Sequence, residues 1–202
     1  MDNFVNQFLA QLAATSVWEW LAVILALAYL ILAIRENIWC WVAAFFSTAI
    51  YIFLFFDVNL YMESALNIFY LVMAIYGWFR WRNGEHLADT KAIVSWSSQY
   101  HLILIFITLA ISIVSGWLLN NYTSQDYAYL DSFTTWFAIL TTVMVAEKVL
   151  QNWLYWLIID SVSIYLYLQK GLALTSLLFL IYLGLAWLGW IKWKHHYARQ
   201  NE

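Results

Sequence analysis

Proline is absent from all 202 residues, cysteine occurs once, and charged residues make up only 10% of the chain. Each shortage excludes something. Without proline, helices lack their commonest kink, so motion is expected as rigid-body rocking rather than bending. A lone Cys40 in an apolar run closes no internal disulfide and says nothing of redox compartment. Water-soluble domains carry about 25% charged residues, which argues against a soluble globular fold here. A net charge of -3 leaves no overall basic surface for nucleic acid.

Apolar and aromatic residues fill the space: 65% of the chain is hydrophobic, with 14 Trp, 14 Tyr and 13 Phe. That is the composition of a helical membrane protein. Residues 1–14 hold Asp2 but no Lys or Arg, so no cleavable signal is expected and the first span must direct insertion. Phe4, Phe8, Leu9 and Leu12 recur at helical spacing, as in a segment lying along the membrane surface, although a short disordered lead fits as well. A spanning helix needs about 20 apolar residues. Read from charge to charge, the chain offers seven such stretches, near 16–34, 38–56, 58–79, 101–119, 132–150, 153–169 and 171–193.

Seven spans place Arg35, Arg80, Arg82, Lys91, Lys148, Lys192, Lys194 and Arg199 on one side of the bilayer and Lys170 alone on the other. Cytoplasmic loops carry the excess of Lys and Arg, so the N-terminus is expected outside and the C-terminus in the cytoplasm. Trp18, Trp20, Trp117 and Trp136 then fall near the outer interface, and Trp39, Trp78, Trp81, Trp190 and Trp193 near the inner one. An aromatic belt accounts for such a distribution.

The third span ends Tyr70, Leu71, Ala74, Gly77, Trp78, Arg80, Trp81, and the seventh ends Tyr182, Leu183, Ala186, Gly189, Trp190, Lys192, Trp193, at a constant offset of 112. A weaker echo relates Asn37 and Trp41 to Asn152 and Trp156 at 115. The chain thus reads as an all-α integral membrane protein of seven transmembrane helices arranged 3+1+3, two parallel three-helix repeats joined by the fourth helix. Its expected divisions are a lead at 1–15, a first repeat at 16–82, a cytoplasmic loop at 83–100, a linking helix at 101–120, a second repeat at 131–193 and a cytoplasmic tail at 194–202. Parallel repeats of this kind occur in transporters, with the site near the midplane between them.

Polar residues at membrane depth usually line a cavity, because hydrocarbon penalises them by about 2.5–3.5 kcal/mol on insertion scales. In the sixth span Asn152, Trp156, Asp160, Ser163 and Tyr167 share one helical face, with Asp160 near mid-depth. In the third, Glu63, Asn67 and Tyr70 do the same, and the fifth contributes Thr134 and Thr141, one heptad apart, with Thr135 and Thr142 beside them. Carboxylates meeting aromatic faces suit a flat organic cation. Interhelical hydrogen bonding is the structural alternative for Asp160 and Asn67, and plain packing for Trp156 and Tyr167. Glu19 and Glu147 stand near interfaces beside Trp or Lys, where solvation or pairing accounts for them.

Other chemistries lack their motifs. HExxH, G-x-S-x-G, P-loop and G-x-G-x-x-G patterns are all missing, and His86, His101, His195 and His196 lie at or beyond the cytoplasmic boundary. No metal, cofactor or catalytic residue is expected. A retinal protein would need a mid-membrane lysine, which the seventh span does not have, and a ligand-sensing receptor would need larger loops.

Asn152-Trp153-x-x-Trp156, Ile158-Ile159-Asp160 with Ser163, the Gly171-Leu172 turn, Leu60-Tyr61 and Ile75-Tyr76-Gly77-Trp78 resemble the bacterial Pnu-type (PnuC family) vitamin transporters over about residues 16–193. The resemblance implies a fold related to the sugar-transporting SWEETs, a homotrimer in the bacterial inner membrane, and facilitated diffusion of a vitamin that a cytoplasmic kinase then phosphorylates. Asp160, Asn67 and Glu63 stand where the nicotinamide riboside branch carries Asn, Gln and a small residue. The shift toward acid resembles the thiamine branch, so thiamine is the favoured substrate, with nicotinamide riboside the alternative and riboflavin behind it. The expected substrate-binding set is Glu63, Asn67, Tyr70, Asn152, Trp156, Asp160, Ser163, Tyr167 and Thr141. The rivals are an intramembrane enzyme using Glu63 and Asp160 as a carboxylate pair, and a non-transporting scaffold.

Overall fold

The computed structural model describes residues 16–57, 61–82, 92–123 and 126–202, leaving aside the side chains at 55, 61–63, 65, 173 and 174. The expected surface segment at Phe4 to Leu12 lies outside the described residues. Among the described residues seven helices follow one another: α1 (Val17–Ile34), α2 (Trp39–Asp57), α3 (Tyr61–Arg82), α4 (Ser98–Tyr122), α5 (Ala128–Ala146), α6 (Asn152–Gln169) and α7 (Ala173–Gln200).

Apolar runs without proline explain why each segment stays helical, and local signals explain where it starts. Ser16 and Ser97 cap α1 and α4, their hydroxyls accepting from the backbone N–H of Glu19 at 3.1 Å and Tyr100 at 3.3 Å. Helix ends at one face of the molecule share a single backbone motif. Asn37 N–H donates to Leu32 C=O at 2.9 Å with Glu36 at φ 55°, and Val149 N–H donates to Met144 C=O at 2.9 Å with Lys148 at φ 54°. Both are left-handed C-terminal caps, a position that favours glycine and costs other residues about 1–2 kcal/mol. The α6–α7 turn has the same pattern, Leu172 N–H to Tyr167 C=O, and there the left-handed residue is Gly171.

The lengths differ from the expected spans where these caps act. The fifth span was expected to run to 150, but α5 stops at Ala146 because Lys148 turns the chain without a glycine to announce it. The fourth helix runs past both expected ends, starting at its Ser97 cap, and α7 continues through the charged tail to Gln200. Among the described residues, α1, α4, α5 and Thr175–Gln200 of α7 are long and apolar enough to cross a membrane, and α2 holds a shorter apolar stretch at Trp39–Leu54. Helices α3 and α6, which carry the polar stripes, fall outside that group.

Packing arranges six helices in a ring: α1 on α2, α2 on α3, α3 on α5, α5 on α6, α6 on α7, and α7 back on α1. Helix α4 lies outside it against α5. Close approach within the ring depends on two glycines. A Cβ on Gly77 would lie 2.3 Å from the Trp41 ring, and one on Gly189 would lie 2.5 Å from the Trp153 ring. By contact, then, the counterpart of Trp41 is Trp153 rather than Trp156. The indoles Trp41 and Trp81 meet edge to face at 5.4 Å, and Trp153 and Trp193 do so at 5.3 Å, both at 86°.

Trp81 and Trp193, expected in the aromatic belt, are instead 4% and 0% exposed. Their Nε1–H groups donate to Ala146 C=O at 3.1 Å and Ala33 C=O at 3.2 Å, tying α3 to α5 and α7 to α1. An indole buried with its N–H satisfied packs as core. Trp18, Trp20, Trp39 and Trp117 remain exposed, as a belt requires.

Candidate functional site

The nine residues expected to bind substrate come from α3, α5 and α6, and the structure treats them unequally. Asp160 is 2% exposed and lies within electrostatic reach of Tyr182 of α7. Ser163, one turn on, and Asn67 on α3 are also buried. Glu63 lies in α3, but its side chain is outside the described residues.

Helices that are not neighbours in the ring come within reach of each other through tyrosines. Tyr70 of α3 lies within electrostatic reach of Tyr167 of α6 and of Tyr29 of α1. Tyr182 of α7 interacts in the same way with Asp160 and with Tyr51 of α2. Tyr167 stacks on Phe179 at 5.1 Å, and Phe179 meets Tyr182 edge to face at 5.6 Å. Thus tyrosines of α1, α3 and α6 form one linked group, those of α2 and α7 form another that includes the buried Asp160, and the Tyr167, Phe179 and Tyr182 rings join the two. Tyr29, Tyr51 and Tyr182 are absent from the expected set. Tyr182 carried a signal, since it is the counterpart of Tyr70 at the offset of 112, whereas Tyr29 and Tyr51 lie in apolar helices with no polar stripe to mark them.

Other expected residues are placed differently. The Thr141 hydroxyl is fully buried and donates to Phe137 C=O of its own helix at 2.6 Å. Asn152 caps the α5–α6 turn, its Nδ2 donating to Val149 C=O at 2.7 Å, while its Oδ1 is buried without a partner among the described residues. Trp156 packs against both hydrophobic clusters. These contacts are structural in kind.

Glu147 is paired, as expected near an interface. Arg80 Nε and Nη2 donate to its two oxygens at 2.8 and 2.5 Å, and Tyr76 adds a hydrogen bond. This clamp fastens α3 to the end of α5. Among the described residues no group of three His, Cys, Asp or Glu side chains is placed to hold a metal. Two apolar grooves of about 260 and 310 Å³ open on the outer surface, between Trp41 and Phe79 of α2 and α3 and along Ala110 to Leu118 of α4. Neither includes an expected site residue.

Comparison with known proteins matches residues 16–195 to the family model described as nicotinamide mononucleotide transporter. The nicotinamide riboside transporter PnuC of Escherichia coli is 22% identical over 156 residues, 63% of this chain and 64% of that protein, and the Shigella flexneri protein gives the same figures. This chain therefore spans just under two thirds of the length of those relatives. The riboflavin/roseoflavin transporter RibM of Streptomyces davaonensis is 25% identical over 173 residues, 84% of this chain and 81% of that one. Among solved structures, the crystal structure of the vitamin B3 transporter PnuC superposes with a TM-score of 0.74 at 19% identity, covering 97% of this chain and 88% of that one. At that identity the likeness speaks for the fold. The family match extends from the cap of α1 into the last turns of α7, and the chain belongs to the nicotinamide mononucleotide transporter family, the Pnu-type vitamin transporters, which are carriers rather than enzymes.

Proposed function

We propose that this chain carries a positively charged heterocyclic vitamin across the bacterial inner membrane by alternating access, with nicotinamide riboside the first candidate. One observation carries the reading: Asp160, on a helix of the ring, is buried at 2% exposure and interacts with Tyr182. A carboxylate held so far from water is stabilised by a cation, and aromatic faces attract that cation by about 2 kcal/mol or more once water is excluded. Nicotinamide riboside, whose glycosylated pyridine ring bears a fixed positive charge, meets this requirement. It is also the compound named for the Escherichia coli and Shigella flexneri relatives. The acid at 160 favours thiamine as the second reading, because its aminopyrimidine and thiazolium present both donors and charge. Riboflavin, uncharged, draws least from Asp160, although RibM is a relative.

The helix pairings support a 3+1+3 organisation with SWEET-like parallel repeats at 16–82 and 131–193. Mapping α1, α2 and α3 onto α5, α6 and α7 turns every contact of the ring into another contact of the ring, with α3 on α5 corresponding to α7 on α1. A site between such repeats opens alternately to either side as they rock. An inside-negative potential of about 100 mV favours inward movement of one positive charge by about 2.3 kcal/mol. The excess of Lys and Arg supports an outside N-terminus, and the resemblance supports a homotrimer and capture of the delivered vitamin by a cytoplasmic kinase.

Purified protein in liposomes tests the reading. Counterflow of labelled nicotinamide riboside, thiamine and riboflavin is measured in parallel, for the wild type and for Asp160→Asn. Saturable counterflow of nicotinamide riboside, exceeding that of thiamine and lost by roughly tenfold or more in the variant, is expected, a change worth about 1.4 kcal/mol. Thiamine outrunning nicotinamide riboside reverses the order of substrates. A chemically altered product favours the enzyme rival, and no counterflow of any vitamin leaves the scaffold.

A further inference from the structure

Glu36 and Lys148 have no part in the site around Asp160, yet they occupy corresponding places in the two halves. They are separated by 112 positions, the offset that relates the ends of α3 and α7, and each is the left-handed residue of the turn that closes its half's first helix. Glycine fills the same place in the α6–α7 turn, where no side chain is needed. Here the sequence accepts backbone strain twice and places opposite charges at the two strained positions. The charges find each other: Lys148 Nζ donates to Glu36 Oε2 at 3.0 Å, with side chains 2% and 15% exposed.

The ring gives this pair its meaning. The α1–α2 turn and the α5–α6 turn lie at opposite points of the six-helix circuit, so a bond between them spans the mouth of the ring at that end. Aromatic side chains back it. Lys148 Nζ lies 4.8 Å over the Trp81 ring, Trp81 and Trp193 approach at 6.3 Å, and His196 of α7 contacts the other Glu36 oxygen. Residues 93 to 97 hold one side of the mouth. Val94 N–H donates to Lys148 C=O at 3.0 Å, and Leu150 N–H donates to Val94 C=O at 2.8 Å, so the α5–α6 turn is anchored from below.

We propose that the Glu36–Lys148 ion pair, lying where the two halves meet, is the closure of this end of the transport path, and that it must separate for substrate to pass. The proposal rests on the transport reading. Lys148 and Glu36 hold the mouth shut in the present conformation, and rocking of the halves pulls their two turns apart. The Arg80–Glu147 clamp joins neighbouring helices along the wall, so it can persist while the mouth opens.

Tethering the pair tests this. In a Cys40→Ala background, Glu36→Cys and Lys148→Cys are joined by a short bis-methanethiosulfonate linker that reductant removes. Counterflow and equilibrium substrate binding are then measured before tethering, after it and after release. Expected are a counterflow loss of about tenfold or more with binding kept within about twofold, and recovery on reduction, as for a carrier held in one state. Tethered protein that exchanges vitamin as fast as the untethered form overturns the closure while leaving the transport reading intact. An untethered background inactive with every vitamin overturns the transport reading and the closure with it. Should the cysteine pair fail to fold, the charge swap Glu36→Lys with Lys148→Glu decides. Transport above that of either single reversal is expected, and a swap no better than the singles overturns the proposal.

Discussion

Close packing around single glycines sets the sharpest tests at the residue scale. The added methyl of Gly77→Ala or Gly189→Ala would enter the face of a buried indole at 2.3 or 2.5 Å, where neither helix nor ring can give way cheaply. Overpacking of this kind costs about 1–3 kcal/mol. Gly184 is the internal control, because a methyl added there would meet nothing within 4 Å. Alanine at that position is expected to be neutral or to stabilise by up to about 1 kcal/mol through helix propensity. Thermal unfolding in detergent should therefore rank Gly184→Ala at or above the wild type, with Gly77→Ala and Gly189→Ala well below. Asp160 acts differently: its removal is expected to spare stability and reduce counterflow of a cation, which separates a binding acid from a packing one.

Helix α4 is the element whose role differs from the rest, since it lies outside the ring, packed along α5 and joined to α6 where His101 Nδ1 and Tyr155 Oη meet at 2.8 Å. Its start and its packing on α5 can each be tested. The Ser97 hydroxyl caps its start, and Gly116 lets Tyr129 of α5 approach so closely that a Cβ would lie 2.7 Å from the ring and 3.0 Å from the Tyr129 Cα. Ser97→Ala is expected to cost about 1 kcal/mol, as loss of an N-cap does. Gly116→Ala should wedge α4 away from α5, lowering the unfolding temperature more than it lowers the counterflow rate. A variant that unfolds normally but no longer transports would instead give α4 a part in the transport path.

Across the whole molecule, the uneven distribution of Lys and Arg gives an expectation for orientation. Lys192 lies on α7 near the Glu36 and Lys148 turns, whereas Lys170 pairs with Asp131 at 4.0 Å at the opposite end. With the positive end in the cytoplasm, an impermeant thiol reagent applied to intact cells should label Lys170→Cys and spare Lys192→Cys. A fluorescent protein fused after Glu202 should mature in the cytoplasm. Labelling in the reverse pattern would invert the proposed path, placing the Glu36–Lys148 closure on the outer side.

Composition and spacing alone determined that the chain is helical and built for a bilayer, because apolar runs about 20 residues long have few other stable forms. They also marked the matching residues at the ends of α3 and α7 and the acid on the polar face of α6. Only tertiary structure decided the rest. Trp81 and Trp193 look like interfacial tryptophans until the neighbouring carbonyls that receive their indole N–H groups are known. Lys148 looks like a loop charge until the left-handed turn that carries it is seen to point at Glu36. Tyr29 and Tyr51 have no stripe to announce them, and they join the site only because the ring brings their helices to it. Periodicity records which face of a helix is polar, a local property of 3.6 residues per turn. Which faces meet depends on contacts far apart in the chain, and those are settled by packing.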